Sequence, residues 1–185
     1  MGKNVMLLIP LLGVVLTSGC ISQNTGTVTI SGTQDLVLND QDLQQLGMMS
    51  VGTDCRTEEY PTNEYSPLAQ YSFCNYTISS LNQTEVVLEL KKYTNLEDLH
   101  GTYQYDSSHL FGAKGLISEN AYGDMSRFRV NSEDDYGAEF TDPNVYYYHL
   151  WIVKSEYLIH LTSKGTEEAG EYMVSMGQLI LSKFG

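Results

Sequence analysis

The chain has 185 residues, 42% of them hydrophobic, with 23 acidic against 10 basic side chains and a formal net charge of −13. That length is enough for one domain around one core and leaves little for a second. The charge repels phosphate backbones, which excludes nucleic acid as a partner, and it would hold the domain off an anionic lipid surface.

Lys3 is followed by a hydrophobic segment from Val5 that closes on Leu16-Thr17-Ser18-Gly19-Cys20. Its apolar part, about a dozen residues, is short of the roughly twenty needed to span a bilayer, and it ends in small residues as a cleavage site does. The segment resembles a prokaryotic lipoprotein signal, with Ser18-Gly19-Cys20 matching the end of the lipobox; Thr17 stands where the bacterial pattern prefers leucine, and Leu16 lies one step earlier. The resemblance implies removal of residues 1–19 and lipid attachment at Cys20. The competing assignment is an uncleaved anchor helix, which Pro10 and Gly13 would weaken. Either places the rest of the chain outside the cytoplasm, on a membrane.

With Cys20 assigned to lipid, two of the three cysteines remain. An oxidising compartment predicts a Cys55–Cys74 disulfide, closing a loop of about 20 residues worth about 3 kcal/mol in the chain-entropy model. A metal pair is the alternative, but no two further thiolate or imidazole ligands lie nearby at finger spacing.

Residues 20–34 have the composition of a flexible tether, and a single domain is expected over residues 35–185. Asn39 is placed to cap a short helix from Asp40 to Leu46, and Gly47 to end it. Gly52 to Ser72 holds Pro61 and Pro67 and little apolar periodicity, which predicts an irregular loop pinned by the disulfide, with Tyr60 and Tyr65 as candidate binding-surface residues. Two sequons, Asn75-Tyr76-Thr77 and Asn82-Gln83-Thr84, are candidate N-glycosylation sites.

Thr84 to Tyr93 alternates, with Val86, Leu88 and Leu90 on one side and Val87, Glu89 and Lys91 on the other, as in a strand with one buried face. A helix follows, capped by Thr94 with Glu97, its apolar face formed by Leu96, Leu99 and Tyr103. Short strands are expected over Met125 to Val130 and Gly137 to Phe140. The acidic run Glu133-Asp134-Asp135 between them lacks the ligand spacing of a calcium loop.

Val145 to Thr162 contains two β-rich runs meeting at Lys154-Ser155, which predicts a hairpin. With those two residues as the loop, Leu150 faces Ile159, Trp151 faces Leu158, and His149 faces His160. Leu150, Ile152, Tyr157, Ile159 and Leu161 then meet the core, while Tyr147, His149, Trp151, Leu158 and His160 share the other face. Tyr147 and Trp151 join the candidate binding surface. A closing helix is expected from Thr166, as cap, to Phe184, with an apolar stripe of Ala169, Tyr172, Met173, Met176, Leu179 and Ile180.

Leu36-Val37-Leu38 with its short helix, the cystine, strand and helix, Gly123-Asp124, the aromatic hairpin and the final helix come in an order that resembles the sensor-like domains of bacterial exported lipoproteins and kinase ectodomains. The resemblance implies an α+β fold, a curved antiparallel sheet with two main amphipathic helices packed on it, and extracytoplasmic binding or sensing. The glycine those relatives carry in the hairpin turn is replaced here by Lys154-Ser155.

Three functions are open at this point. The first is a non-enzymatic, lipid-anchored cell-surface binding module for a small molecule, glycan or surface protein, for which 14 tyrosines are the motive. The second is metal or pH response by His149 and His160, whose Cβ atoms would lie about 5 Å apart if directly opposed. The third is an exported hydrolase, although no Gly-x-Ser-x-Gly, His-Glu-x-x-His or phosphate-loop motif is present. No motif calls for a cofactor.

Overall fold

A computed structural model describes residues 29–61, 67–109, 115–131 and 144–185. The signal segment with Cys20, Tyr65, the acidic run at 133–135 and the strand expected at 137–140 lie outside the described residues. The architecture is α+β: the described residues form seven antiparallel strands in one open sheet, with three helices. In chain order these are α1 (Asp40–Gln45), β1 (Ser50–Glu59), β2 (Leu68–Ile78), β3 (Thr84–Tyr93), α2 (Leu96–His109), β4 (Leu116–Glu119), β5 (Met125–Asn131), β6 (Tyr146–Lys154), β7 (Tyr157–Gly165) and α3 (Ala169–Ser182). Across the sheet the order is β1-β2-β3-β7-β6-β5-β4.

Both faces of the central strands are covered, by different elements. On the first face Leu88, Leu90, Leu150, Ile152, Ile159 and Leu161 pack beneath Met173, Met176 and Ile180 of α3 and Leu43 of α1. On the second, Leu99 and Tyr103 of α2 pack on Trp151, Val153 and Leu158. The expected two main helices on the sheet are thus three helices divided between two faces, because the β6–β7 hairpin carries apolar side chains on both sides and each side needs its own cover.

The N-terminal end is built by polar bonds as much as by packing. Asn39 and Asp42 form a reciprocal capping box on α1, each bond 3.0 Å, and Gly47 closes the helix at φ +72° with its N–H on the Gln44 carbonyl. Lys183, just past α3, donates to Asp42 at 3.0 Å and to the Val37 carbonyl at 2.8 Å, tying α3 to the segment around α1. Packing on the sheet starts ahead of Asp35: Thr33 is fully buried, with its N–H and hydroxyl on Gln70 Oε1.

Four local expectations are corrected. Gly52 to Ser72 is mostly paired strand: β1 and β2 form a ladder from Ser50–Ile78 to Glu59–Gln70 across the Cys55–Cys74 disulfide. Helix α2 is capped one residue later than expected, with the Asp98 N–H on Asn95 Oδ1 at 2.8 Å; Thr94 instead bonds the Pro67 carbonyl through both its N–H and hydroxyl, and Leu96 is exposed. Helix α3 begins at Ala169 rather than after Thr166, whose carbonyl accepts the Ala169 N–H.

The fourth correction moves the hairpin register by two. Lys154 faces Tyr157, and Ser155-Glu156 form the loop. Ser155 takes the left-handed conformation, φ +52°, that a two-residue hairpin turn requires and that glycine usually supplies. Asp124 holds it there: its carboxylate accepts the Ser155 N–H at 2.8 Å and the Lys154 ammonium at 3.0 Å, and these bonds keep the Asp124 carboxyl below its ordinary range. A shift of two leaves every side chain on its expected face.

Candidate functional site: a carboxylate–imidazole chain on the second face

The corrected register sets Trp151 opposite His160 and His149 opposite Thr162, so the two histidines are diagonal neighbours instead of direct partners. Strand β3 runs along the other edge of β7 and places Glu89 opposite His160. On β2, Tyr71 stands opposite Lys91, diagonal to Glu89. Four strands therefore contribute to one row on the face that α2 partly covers.

The row is hydrogen bonded from end to end. The Tyr71 hydroxyl donates to Glu89 Oε1 at 2.7 Å, Glu89 Oε2 lies 2.9 Å from His160 Nδ1, and His160 Nε2 lies 3.3 Å from His149 Nδ1. Thr162 Oγ1 is 3.2 Å from the same His160 nitrogen. The two imidazoles are inclined by only 18°, with centroids 5.6 Å apart, so their facing nitrogens meet edge to edge in nearly a common plane. Trp151 stacks beside both rings, its centroid 5.3 Å from His149 and 4.7 Å from His160.

Burial and neighbouring charge set the ionisation of the two ends of the row. Burial raises the Glu89 carboxyl, but the hydrogen bond and charge of His160, helped by the Tyr71 hydroxyl, outweigh burial and hold it at about 2. Glu89 is ionised, so His160 Nδ1 is the donor in their bond. His149 is pushed down to about 3, first by burial and then by the charge of His160, so it is neutral. The line between His149 Nδ1 and His160 Nε2 has room for one proton. A second proton there would set two N–H groups head to head.

This arrangement suits a proton better than a metal. Two imidazole nitrogens bound to a tetrahedral zinc ion at about 2.0 Å each lie about 3.3 Å apart, the separation found here, but these two nitrogens point at each other along one line, so an ion held by both would sit off the lone-pair direction of each. Among the described residues no group of three or more His, Cys, Asp or Glu side chains is placed to hold a metal. Glu89, His160 and Thr162 do align an acid, an imidazole and a hydroxyl. Thr162, however, lies within β7, whose neighbours β3 and β6 both pair with it there, so the local backbone N–H groups are engaged in ladders and not available for an oxyanion.

The other residues picked out from sequence are placed as follows. Cys55 and Cys74 are bonded. Asn75, within β2, and Asn82, in a left-handed turn after a short 3-10 helix, are both exposed. Tyr60 is 37% exposed, its hydroxyl on Glu58 Oε2 at 2.6 Å. Tyr147 is half-buried with the Lys164 ammonium 5.8 Å from its ring centroid. Trp151 is corrected: it is fully buried beneath α2 and cannot belong to a contact surface. A cavity of about 390 Å³ beside Asn82, Thr166 and Tyr172 is lined by none of the imidazole-chain residues.

Glu89 and Thr162 were not singled out from sequence. Alternation did put Glu89 on the solvent side of β3, but only the β3–β7 pairing, between segments far apart in the chain, brings it to His160. No described helix is long and apolar enough to cross a membrane. Neither a protein-family model nor a curated protein matches this chain.

Proposed function

We propose that this chain is a lipid-anchored, extracytoplasmic binding or sensing module without enzymatic activity, attached through Cys20 and facing away from the cytoplasm. Its ligand, a small molecule, a glycan or a surface protein, would meet the part of the second face that α2 leaves half-buried, formed by Tyr71, Phe73, Val87, Tyr147 and Thr162. The observation that carries this is the continuous Tyr71–Glu89–His160–His149 chain in the floor of that surface. A half-buried acid and imidazole beside a buried imidazole give less stability than apolar side chains of the same volume, and strongly perturbed titratable groups concentrate at functional sites.

The test is a ligand panel of glycans and small metabolites scored by thermal midpoint on the full chain in detergent, with Phe73→Ala and Glu89→Gln alongside. Binding raises the midpoint by mass action. A ligand whose shift disappears in Phe73→Ala and changes with pH only when Glu89 is intact supports the proposal. A ligand shift that both variants leave untouched refutes this location.

Within this function, response to pH is favoured over response to metal. The in-line nitrogens at 3.3 Å support proton sharing. Zinc or copper that raises the midpoint in wild type but not in His149→Gln would reverse that order.

A further inference from the structure

Strand β1 forms one edge of the sheet, and every residue from Val51 to Tyr60 is exposed. Its pairing with β2 fixes which of its backbone groups point outward. Cys55 and Cys74 are directly opposed with Cα atoms 4.1 Å apart, the spacing of a non-hydrogen-bonded pair, whereas the Tyr60 N–H bonds back to the Ala69 carbonyl. The N–H and C=O groups of Asp54, Arg56 and Glu58 therefore face β2, and those of Thr53, Cys55, Thr57 and Glu59 face away from the sheet. Ten residues long, β1 contains neither proline nor lysine, and its one irregularity lies near its start, between Ser50 and Gly52. Of the usual protections of an open edge it keeps charged side chains, Asp54, Arg56, Glu58 and Glu59, and that one irregularity, and from Thr53 to Glu59 nothing interrupts the backbone.

We propose that this edge pairs with β1 of a second copy of the chain, antiparallel about a two-fold axis at Cys55, joining the two sheets into one. The side chains select the partner and the register. In a symmetric antiparallel pair, outward-facing residues must lie opposite outward-facing residues. Centring on Cys55 satisfies this, pairs the whole strand from Ser50 to Tyr60, and sets Asp54 of each copy opposite Arg56 of the other on the same face. Two attractive pairs then flank the axis. Centring on Asp54 or on Arg56 would set like charges face to face. Centring on Thr57 would gain Arg56–Glu58 pairs but leave the first half of each strand unpaired. The Arg56 guanidinium already lies 5.3 Å from the Phe73 ring centroid and 3.8 Å from Glu58, so it is held over this face by its own chain.

The test is sedimentation equilibrium of the full chain in density-matched detergent, with circular dichroism confirming that each variant is folded. Wild type is expected to dimerise. Asp54→Arg sets arginine against arginine at two sites and should weaken the dimer about tenfold or more. Asp54→Arg combined with Arg56→Asp restores both pairs and should restore dimerisation, which happens only in this register. Thr53→Pro removes an outward N–H without touching the β2 ladder and should give a folded monomer. A wild type that stays monomeric at every concentration reached overturns the proposal. So does a charge-swapped double variant that fails to recover, or a Thr53→Pro chain that dimerises as well as wild type.

Discussion

His149 gives the sharpest quantitative test of the imidazole chain. Its ordinary value of 6.5 falls to about 3 in the folded protein, and the ring is 6% exposed. Above pH 6.5 the ring is neutral whether the chain is folded or not, so this source of stability is fully present. Below 6.5 the unfolded chain takes up a proton that the folded chain refuses, and stability declines until the pH approaches 3. Each pH unit in that window corresponds to about 1.4 kcal/mol, so between pH 7 and pH 5 the loss is about 2 kcal/mol. For a domain of this size that lowers the thermal midpoint by about 4–8 °C. Glutamine cannot take the proton. His149→Gln should be less stable than wild type at pH 7, because the bond to His160 and the stacking on Trp151 are disturbed, yet lose about 2 kcal/mol less on acidification to pH 5. The assay is chemical unfolding at pH 5, 6 and 7, followed by circular dichroism and by emission of Trp151, the single tryptophan, which stacks beside both rings. Equal slopes of stability against pH in the two proteins would refute the assignment of a neutral, proton-sharing His149.

Tyr71→Phe removes a donor from Glu89, whose carboxyl is held at about 2, and should cost about 1 kcal/mol at neutral pH. The stability contributed by Glu89 is present above about 4.5 and lost as pH falls toward 2, so the variant's acid unfolding, read by circular dichroism between pH 5 and 2, should move to higher pH. Ser155→Gly relieves a left-handed residue and should stabilise by about 0.5–1 kcal/mol in urea unfolding, while Asp124→Ala frees the turn and should cost about 1–2 kcal/mol. Gly165→Ala would place a methyl group 2.1 Å from Thr84 Oγ1 and 2.7 Å from its Cβ. It should cost about 1–3 kcal/mol in the same assay.

Elements whose local pattern agrees with their surroundings were readable from residues alone. Strand β3 alternates because one face meets α3 and the other is wetter, and α1 carries its cap at Asn39 and its stop at Gly47. Strand β1 was hidden because an edge strand exposed on both faces has no apolar period to read. Strand β2 was hidden for a different reason: its inward positions include Gln70 and Ser72, buried polar residues satisfied by Thr33 from far along the chain. The hairpin turn was misplaced because a serine substitutes for glycine with the help of Asp124, about thirty residues earlier. The histidine pair was visible as a pair. Its acid was not, since the strand that delivers Glu89 is joined to the hairpin only by tertiary pairing.

The strand order also bears on how the chain folds. Strands β1, β2 and β3 are consecutive neighbours, as are β4, β5, β6 and β7, so each group can assemble from contacts close in sequence. Among the described strands, the ladder from Glu85–Lys164 to Lys92–Tyr157 is the pairing that joins them, and it requires closure of the long segment containing α2. Docking of the two meanders is therefore the slow, high-entropy step, and Glu89–His160 is the polar latch across it. Mutations that weaken the latch should speed separation of the halves and favour exchange of one meander between two copies, a domain-swapped species distinct from edge-to-edge association through β1.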